Sequence, residues 1–203
     1  MADGTEYTSA CATCRTAASF RGDCDRMPEG CPTRARPELT KDVSSYLQPE
    51  RAQIMRVADA APFTPEKVKR NRVDELIFFA KERGYSRLGV AYCVSMTKEA
   101  QELARRLEAE GVHAELACCR LGAVDYEEIG LQKAHPERFA SICNPVAQAK
   151  LLNEAGAQLI VQMGLCLGHD LILQEEAKVP VTTLVVKDRA LDHHPITALR
   201  PNP

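Results

Sequence analysis

The sequence predicts an α/β protein: a doubly wound, mainly parallel sheet of about four strands, with a small N-terminal four-cysteine knuckle and a helical connector. Two observations predict it. From Val68 onward, short apolar runs alternate with amphipathic stretches of helical length, which is how strands joined by crossover helices read. Residues 1–36 instead hold four cysteines and almost no large apolar side chains, so they cannot close a core of their own without a staple. The chain therefore divides into a knuckle at 1–36, a connector at 37–66 and an α/β domain at 67–203.

In the knuckle, Phe20 and Met27 are the only large apolar residues between Cys11 and Cys31. The staple reads C-x2-C-x9-C-x6-C at Cys11, Cys14, Cys24 and Cys31. A tight first pair grips one ion, and two later thiolates complete a tetrahedral shell of sulfur. Zinc suits such a shell without needing a redox role; an iron-sulfur cluster uses the same ligands. In the connector, Ser44-Ser45 is expected to cap a helix running to about Ala60, with Pro62 and Pro65 breaking the pattern beyond it.

The α/β domain opens with a helix whose inner face is Val73, Leu76, Ile77 and Ala80, ended by Gly84. A first strand, Arg87 to Tyr92, runs into Cys93. Thr97 or Ser95 is expected to cap the next helix, with inner face Ala100, Leu103, Ala104 and Leu107, closed by Gly111. A second strand, His113 to Ala117, runs into Cys118-Cys119. Asn144 caps a third helix with Pro145 at its first position, ending at Gly156. The third strand, Gln158 to Met163, leads to Gly164-Leu-Cys166-Leu-Gly168-His169-Asp170 and a helix-like Leu171-Ile172-Leu173. The fourth, Val181 to Val186, leads to Lys187-Asp188-Arg189.

Right-handed crossovers place every strand-to-helix loop on one edge of the sheet, beyond the carboxyl ends of the strands, where such folds bind ligands. Cys93, Cys119 and Cys166 fall on that edge. Cys143 immediately precedes a helix N-terminus, which stabilises a thiolate. A single cysteine at a strand end would ordinarily fill a core. Three at equivalent ends and one at a helix start point to a site, for an iron-sulfur cluster or a second metal ion. Adjacent strand residues face opposite sides, so only one of Cys118 and Cys119 is expected to join it. His169 and Asp170 are candidate catalytic or outer-shell groups, unless Asp170 only caps its helix. Lys187 and Arg189 could bind an anionic substrate, or the charge run is a solvated turn. His193-His194-Pro195 offers a metal ligand or an exposed tail. Leu121 to Ile142 is long for a loop of this fold and suits a lid or binding segment.

A formal net charge of -2 gives no reason to expect nucleic acid binding. There is no run of 18 or more apolar residues, hence no membrane span, and MADGTEYTSA does not read as a signal peptide. Nine cysteines, an odd number, in a cytoplasmic chain favour metal binding or redox chemistry over a disulfide framework. No G-x-G-x-x-G follows the first strand, so a dinucleotide bound in the usual way is not expected.

Six ordered segments also resemble a known family: the N-terminal cysteines, Arg-Leu-Gly-Val-Ala-Tyr-Cys93, Cys119-Arg-Leu-Gly-Ala-Val-Asp125, Cys143-Asn-Pro145, Gly-Leu-Cys166-Leu-Gly-His-Asp170 and Val-Lys-Asp-Arg189. The chain is similar over essentially its whole length to the domain of unknown function 1847 family, a predicted metal-binding family of uncharacterised function. The resemblance implies that Cys93, Cys119, Cys143 and Cys166 belong to the family pattern, while Cys118 stands where an aliphatic residue is usual. It also implies a departure at Asp192-His193-His194-Pro195, where the family ending resembles Gly-His-Asn-Pro. The expectation is a cytoplasmic metal-binding protein with a zinc-type knuckle and a second cysteine site. That second site could serve redox or sulfur chemistry on a small molecule; the alternative is a non-catalytic metal sensor, carrier or interaction module.

Overall fold

In a computed structural model of the chain, residues 10–12 and 14–200 are described. They divide into two compact units at Arg56–Val57.

The first unit is built of short pieces: helices Ala18–Arg21, Pro32–Ala35 and Pro37–Thr40, with 3-10 turns at Cys24–Arg26 and Ser44–Leu47. Ala18, Met27 and Cys31 form its only buried apolar cluster among the described residues, as expected of a segment so poor in large apolar side chains. The connector helix runs Pro49–Ala60 rather than starting at Ser44-Ser45. Proline excludes the helical conformation from the residue before it, and Gln48 is extended at ψ 135. Pro49 itself is well suited to a first helical position.

The second unit holds a four-stranded, all-parallel sheet in the order β2-β1-β3-β4, with β1 Arg87–Tyr92, β2 His113–Cys118, β3 Leu159–Met163 and β4 Val181–Val185. Its helices are α1 Arg72–Glu82, α2 Thr97–Ala109, α3 Pro145–Glu154 and α4 His169–Glu176. The expected α/β fold is thus the observed one. α1 and α2 close a core over one face, with Leu88, Val90, Leu103, Leu107, Val161 and Met163 inside it. α3 and α4 close a second over the other, around Ala91, Ala117, Leu152, Ile160 and Leu173. Side-chain alternation along each strand feeds both cores.

Two local features set the site. The direction of winding reverses between β1 and β3: β1 continues outward to β2, while β3 continues outward to β4. The loops after β1 and β3 therefore diverge at a switch point, which opens a crevice at the carboxyl edge. Gly89 lets α3 lie close on β1, because a Cβ there would meet Leu152 side-chain atoms at 3.0–3.1 Å. No described helix is long and apolar enough to cross a membrane.

Candidate functional site

Parallel register places the strand-end cysteines together. Tyr92 pairs with Cys118, so the next residues, Cys93 and Cys119, stand on neighbouring strands on the same face, about 4.8 Å apart in the hydrogen-bonding direction. Cys119 N–H continues the ladder to Tyr92 O at 2.9 Å, and Cys93 N–H bonds Met163 O at 3.0 Å. Both side chains enter the core under α3 and α4. Cys118 faces the other way and meets the Tyr92 hydroxyl, so it stands apart from the others.

Cys143 arrives from the far end of the long loop. Asn144 N–H donates to Cys119 O at 2.8 Å, and the Asn144 carboxamide caps α3 by accepting from Ala147 N–H. The Cys143 thiol consequently lies 3.8 Å, sulfur to sulfur, from Cys119. Cys166 sits in the loop after β3, where its carbonyl accepts from His169 and Asp170 N–H.

Every one of these four sulfurs faces a donor. Ser95 Oγ donates to Cys93 Sγ at 3.3 Å, Val94 N–H to Cys119 Sγ at 3.4 Å, and Arg189 to Cys166 Sγ at 3.1 Å. The Arg120 guanidinium bonds Cys143 as well as Ser141 O. Lys187 Nζ reaches Ser95 Oγ at 2.7 Å. Burial works against ionising Cys93, but the Ser95 hydroxyl and N–H, with the Lys187 charge, bring it down to about 7. Cys119 goes the other way: burial, together with the neighbouring Cys143 and Cys93 sulfurs, pushes it up to about 12 against the Val94 N–H. One thiol is thus poised to ionise beside one that stays protonated until a cation compensates it. Arg189 is held above its ordinary range first by its bond to Cys166, with smaller contributions from Cys93 and Cys143.

Asp170 Oδ1 accepts from Gly168 and Leu171 N–H, which fixes the turn after Cys166; the His169 ring has no hydrogen-bond partner among the described residues. Ser95 and Thr97 do not cap α2. Thr97 Oγ1 bonds back to Val94 O, and Ser95 has turned to Cys93 and Lys187. Sequence reasoning reaches Lys187 and Arg189 but gives Ser95 only a capping role and misses Arg120, whose position two residues past the end of β2 is the available signal. His193 is half-buried: its Nδ1 lies 3.0 Å from Val186 O and 3.2 Å from Asp188 N, clasping the Lys187–Arg189 loop. His194 is exposed.

In the first unit, Cys14 N–H bonds Cys11 O at 3.4 Å, closing the turn of the first pair. The Thr16 hydroxyl and the Thr16 and Ala17 N–H groups lower the Cys14 thiol. Burial opposes ionisation of Cys31, yet donors from Thr33, Arg34 and Ser19 lower it overall. Cys11, Cys14 and Cys24 are exposed, and Cys31 is buried. Among the described residues, no three Cys, His, Asp or Glu side chains already converge closely enough to hold a metal ion.

Residues 31–184 match the family model described as protein of unknown function (DUF1847). The uncharacterized protein MJ0455 of Methanocaldococcus jannaschii is 34% identical over 161 residues, covering 78% of this chain and 81% of that protein.

Proposed function

The chain belongs to the DUF1847 family, whose function is unknown, and we propose that it is a metal–thiolate protein of the cytoplasm with two cysteine sites. Cys93, Cys119, Cys143 and Cys166 supply one, and Cys11, Cys14, Cys24 and Cys31 the other. The observation that carries this reading is the 3.8 Å separation of the Cys119 and Cys143 sulfurs. A tetrahedral shell with metal–sulfur bonds of about 2.3 Å has edges of about 3.8 Å. Two thiolates on one metal atom stand at that spacing, whether the atom is a lone ion or one iron of a two-iron cluster, whereas a four-iron cluster gives each cysteine its own iron and parts the sulfurs further. At the sheet edge the donor set fits: all sulfur, with Cys93, Cys119, Cys143 and Cys166 each facing an N–H, O–H or cationic partner. The spacing is therefore that of a single ion or a two-iron cluster rather than a four-iron one; a zinc-type ion is the leading reading at both sites because zinc accepts an all-sulfur shell without needing a redox role.

When bound by all four thiolates such an ion would have a closed shell and serve structure; it would act as a Lewis acid toward a soft ligand only with one of the four thiolates displaced. The chain's own groups around it do the rest. Arg189, Lys187 and Arg120 place positive charge at the mouth of the crevice, where it attracts an anionic small molecule. Asp170 fixes the turn that carries Cys166, and the unengaged His169 ring is placed as a proton donor for redox or sulfur chemistry. A second reading, a metal sensor or carrier without turnover, is favoured by the exposure of Cys11, Cys14 and Cys24, which leaves the knuckle open to a partner.

Metal and acid-labile sulfide content per chain, measured after anaerobic purification, test the proposal. One zinc per cysteine set is expected, with one lost in Cys119→Ser or Cys143→Ser and the other in Cys11→Ser. Iron with sulfide would replace the single-ion reading by a cluster, and a metal-free chain with all thiols titratable would sink both.

A further inference from the structure

We propose that Cys119 and Cys143 are a reversible disulfide pair, a peroxide-sensitive modification site at the base of the long loop. The disulfide stands on the geometry of these two thiols; only its consequence, release of the ion, rests on the proposed function.

Three observations carry it. The two sulfurs are 3.8 Å apart across 24 residues of sequence. A disulfide needs about 2.05 Å between sulfurs, so closing it takes under ~2 Å of travel, shared between two side chains. Second, the backbones beside them are already tied. Asn144 N–H is bonded to the carbonyl of Cys119, Asn144 Nδ2 to Leu121 O at 3.3 Å, and Ile142 N–H to Val124 O. The loop is therefore closed at its base before any covalent bond forms, and the bond adds little strain. Third, the competing thiols each have a hydrogen-bond partner of their own: Cys93 in Ser95, Cys166 in Arg189, and Cys118, on the opposite face, in Tyr92.

Access sets the order of events. Cys143 is half-buried, with the exposed Arg120 at its side, whereas Cys119 is 2% exposed. The oxidant is hydrogen peroxide. Cys143 thiolate attacks the terminal peroxide oxygen; the O–O bond breaks, leaving a sulfenic acid on Cys143 and, after protonation, one water. Cys119 sulfur then attacks that sulfenic sulfur; the S–O bond breaks, the disulfide forms and a second water leaves. Two thiols lose two electrons and the peroxide gains them. Two ligands leave the metal together, so the ion is released, and the Leu121–Ile142 loop becomes covalently fixed at its base.

The test uses the full chain and hydrogen peroxide near one equivalent. Metal released is measured with a colorimetric chelator, and non-reduced tryptic peptides are mapped by mass. The expected product joins peptide 107–120 to peptide 139–150, with one zinc released per cross-link and both changes undone by a dithiol. Because peptide 107–120 carries Cys118 as well as Cys119, the map is repeated in Cys118→Ser, which should cross-link as the parent does. Loss of the link in that variant overturns the proposal. So does a peroxide product in which Cys143 goes to sulfinic acid with the peptides separate. A chain that carries no metal at this site yet cross-links the same way supports the disulfide pair while removing the metal reading, so the two stand or fall separately.

Discussion

Lys187 Nζ lies 2.7 Å from Ser95 Oγ although β3 separates the strands that carry them, β4 and β1. The contact passes over the end of β3, where Gly164 stands. Gly164 has φ +62, and a Cβ there would fall 2.3 Å from Met96 Sδ and 3.9 Å from Cys93 Cβ. Its N–H also ties β3 to Val185 O at 2.7 Å. The glycine thus lets the loops after β1 and β4 approach each other across a strand, and the lysine reaches Cys93 both through the Ser95 hydroxyl and by its own bond to the sulfur.

Removing that hydroxyl should free Cys93 from its stabilising donors. With Ser95→Ala, burial is left opposed only by the remaining N–H and a less well placed Lys187, so the thiol should climb from about 7 toward or beyond the ordinary ~8.5. Alkylation rate of Cys93 against pH, on metal-free protein and read by peptide mass, should show its midpoint move upward by one unit or more. Lys187→Met should move it in the same direction by less. An unmoved midpoint in both variants would show that the chain of contacts does not reach the sulfur.

Gly164→Ala should cost more stability than Gly84→Ala. Both glycines lie near the same positive φ, +62 and +67, but nothing stands within 4 Å of a Cβ at Gly84. Both therefore carry the left-handed penalty of about 1–2 kcal/mol, and only Gly164 adds the displacement of buried Met96, about 1–3 kcal/mol. Urea denaturation of the two variants checks the difference; equal midpoints would mean that Met96 moves away without cost.

Legibility in the sequence depends on whether a feature is local. The periodicity of Val73, Leu76, Ile77 and Ala80, and the strand runs before Cys93, Cys119 and Cys166, carry the fold because burial of one face writes itself into neighbouring residues. The shared edge of the four cysteines follows from topology once the strands are known. The Cys119–Cys143 contact does not, because the long loop's return is fixed by bonds between residues far apart in sequence, among them Asn144 N–H to Cys119 O and Ile142 N–H to Val124 O, which leave no mark in composition. Ser95 reads as a cap because a hydroxyl before a helix ordinarily serves the helix, and only a lysine 92 positions away redirects it. The capping box of Asp125 and Glu128, which starts the 3-10 turn Tyr126–Ile129, is readable as D-x-x-E but is easily missed inside a stretch that otherwise reads as loop.

That capping aspartate gives the long loop a pH dependence. Bonds from Glu127 N–H, then Ala140 N–H and the Lys133 ammonium, hold Asp125 below the usual carboxylate range; Lys133 itself is 7% exposed in this pair. A carboxyl depressed on folding contributes stability above its unfolded value, near 3.9, and loses it as pH falls through the folded value. Protection of the loop should therefore persist through neutral pH and fade only at strongly acidic pH. Asp125→Asn should already lack it at neutrality. Amide hydrogen exchange of Ala140 and Glu127, compared between the two proteins from neutral to acid, would show the parent converging on the variant; parallel curves would remove Asp125 as the clasp.

Gln148 is fully buried on α3, and its Nε2 donates to Tyr92 O at 3.2 Å and Ala117 O at 2.7 Å, the carbonyls just before the Cys93 and Cys119 segments; its Oε1 has no partner. Gln148→Leu removes both the two donations and the orphaned acceptor. It should therefore cost only about 1–3 kcal/mol, because two strand-end carbonyls lose a donor while one buried oxygen disappears. Gln148→Glu keeps the shape but leaves a carboxyl among carbonyls and thiols. Burial and the absence of a cation should raise that carboxyl, so it must fold neutral, and the variant should lose stability progressively as pH rises above the ordinary ~4.3 of glutamate. Denaturation midpoints measured from mildly acidic to neutral pH separate the two. Glu tracking Leu at every pH would mean that water reaches Gln148, and the thiol site beside it would then be wetter than its burial implies.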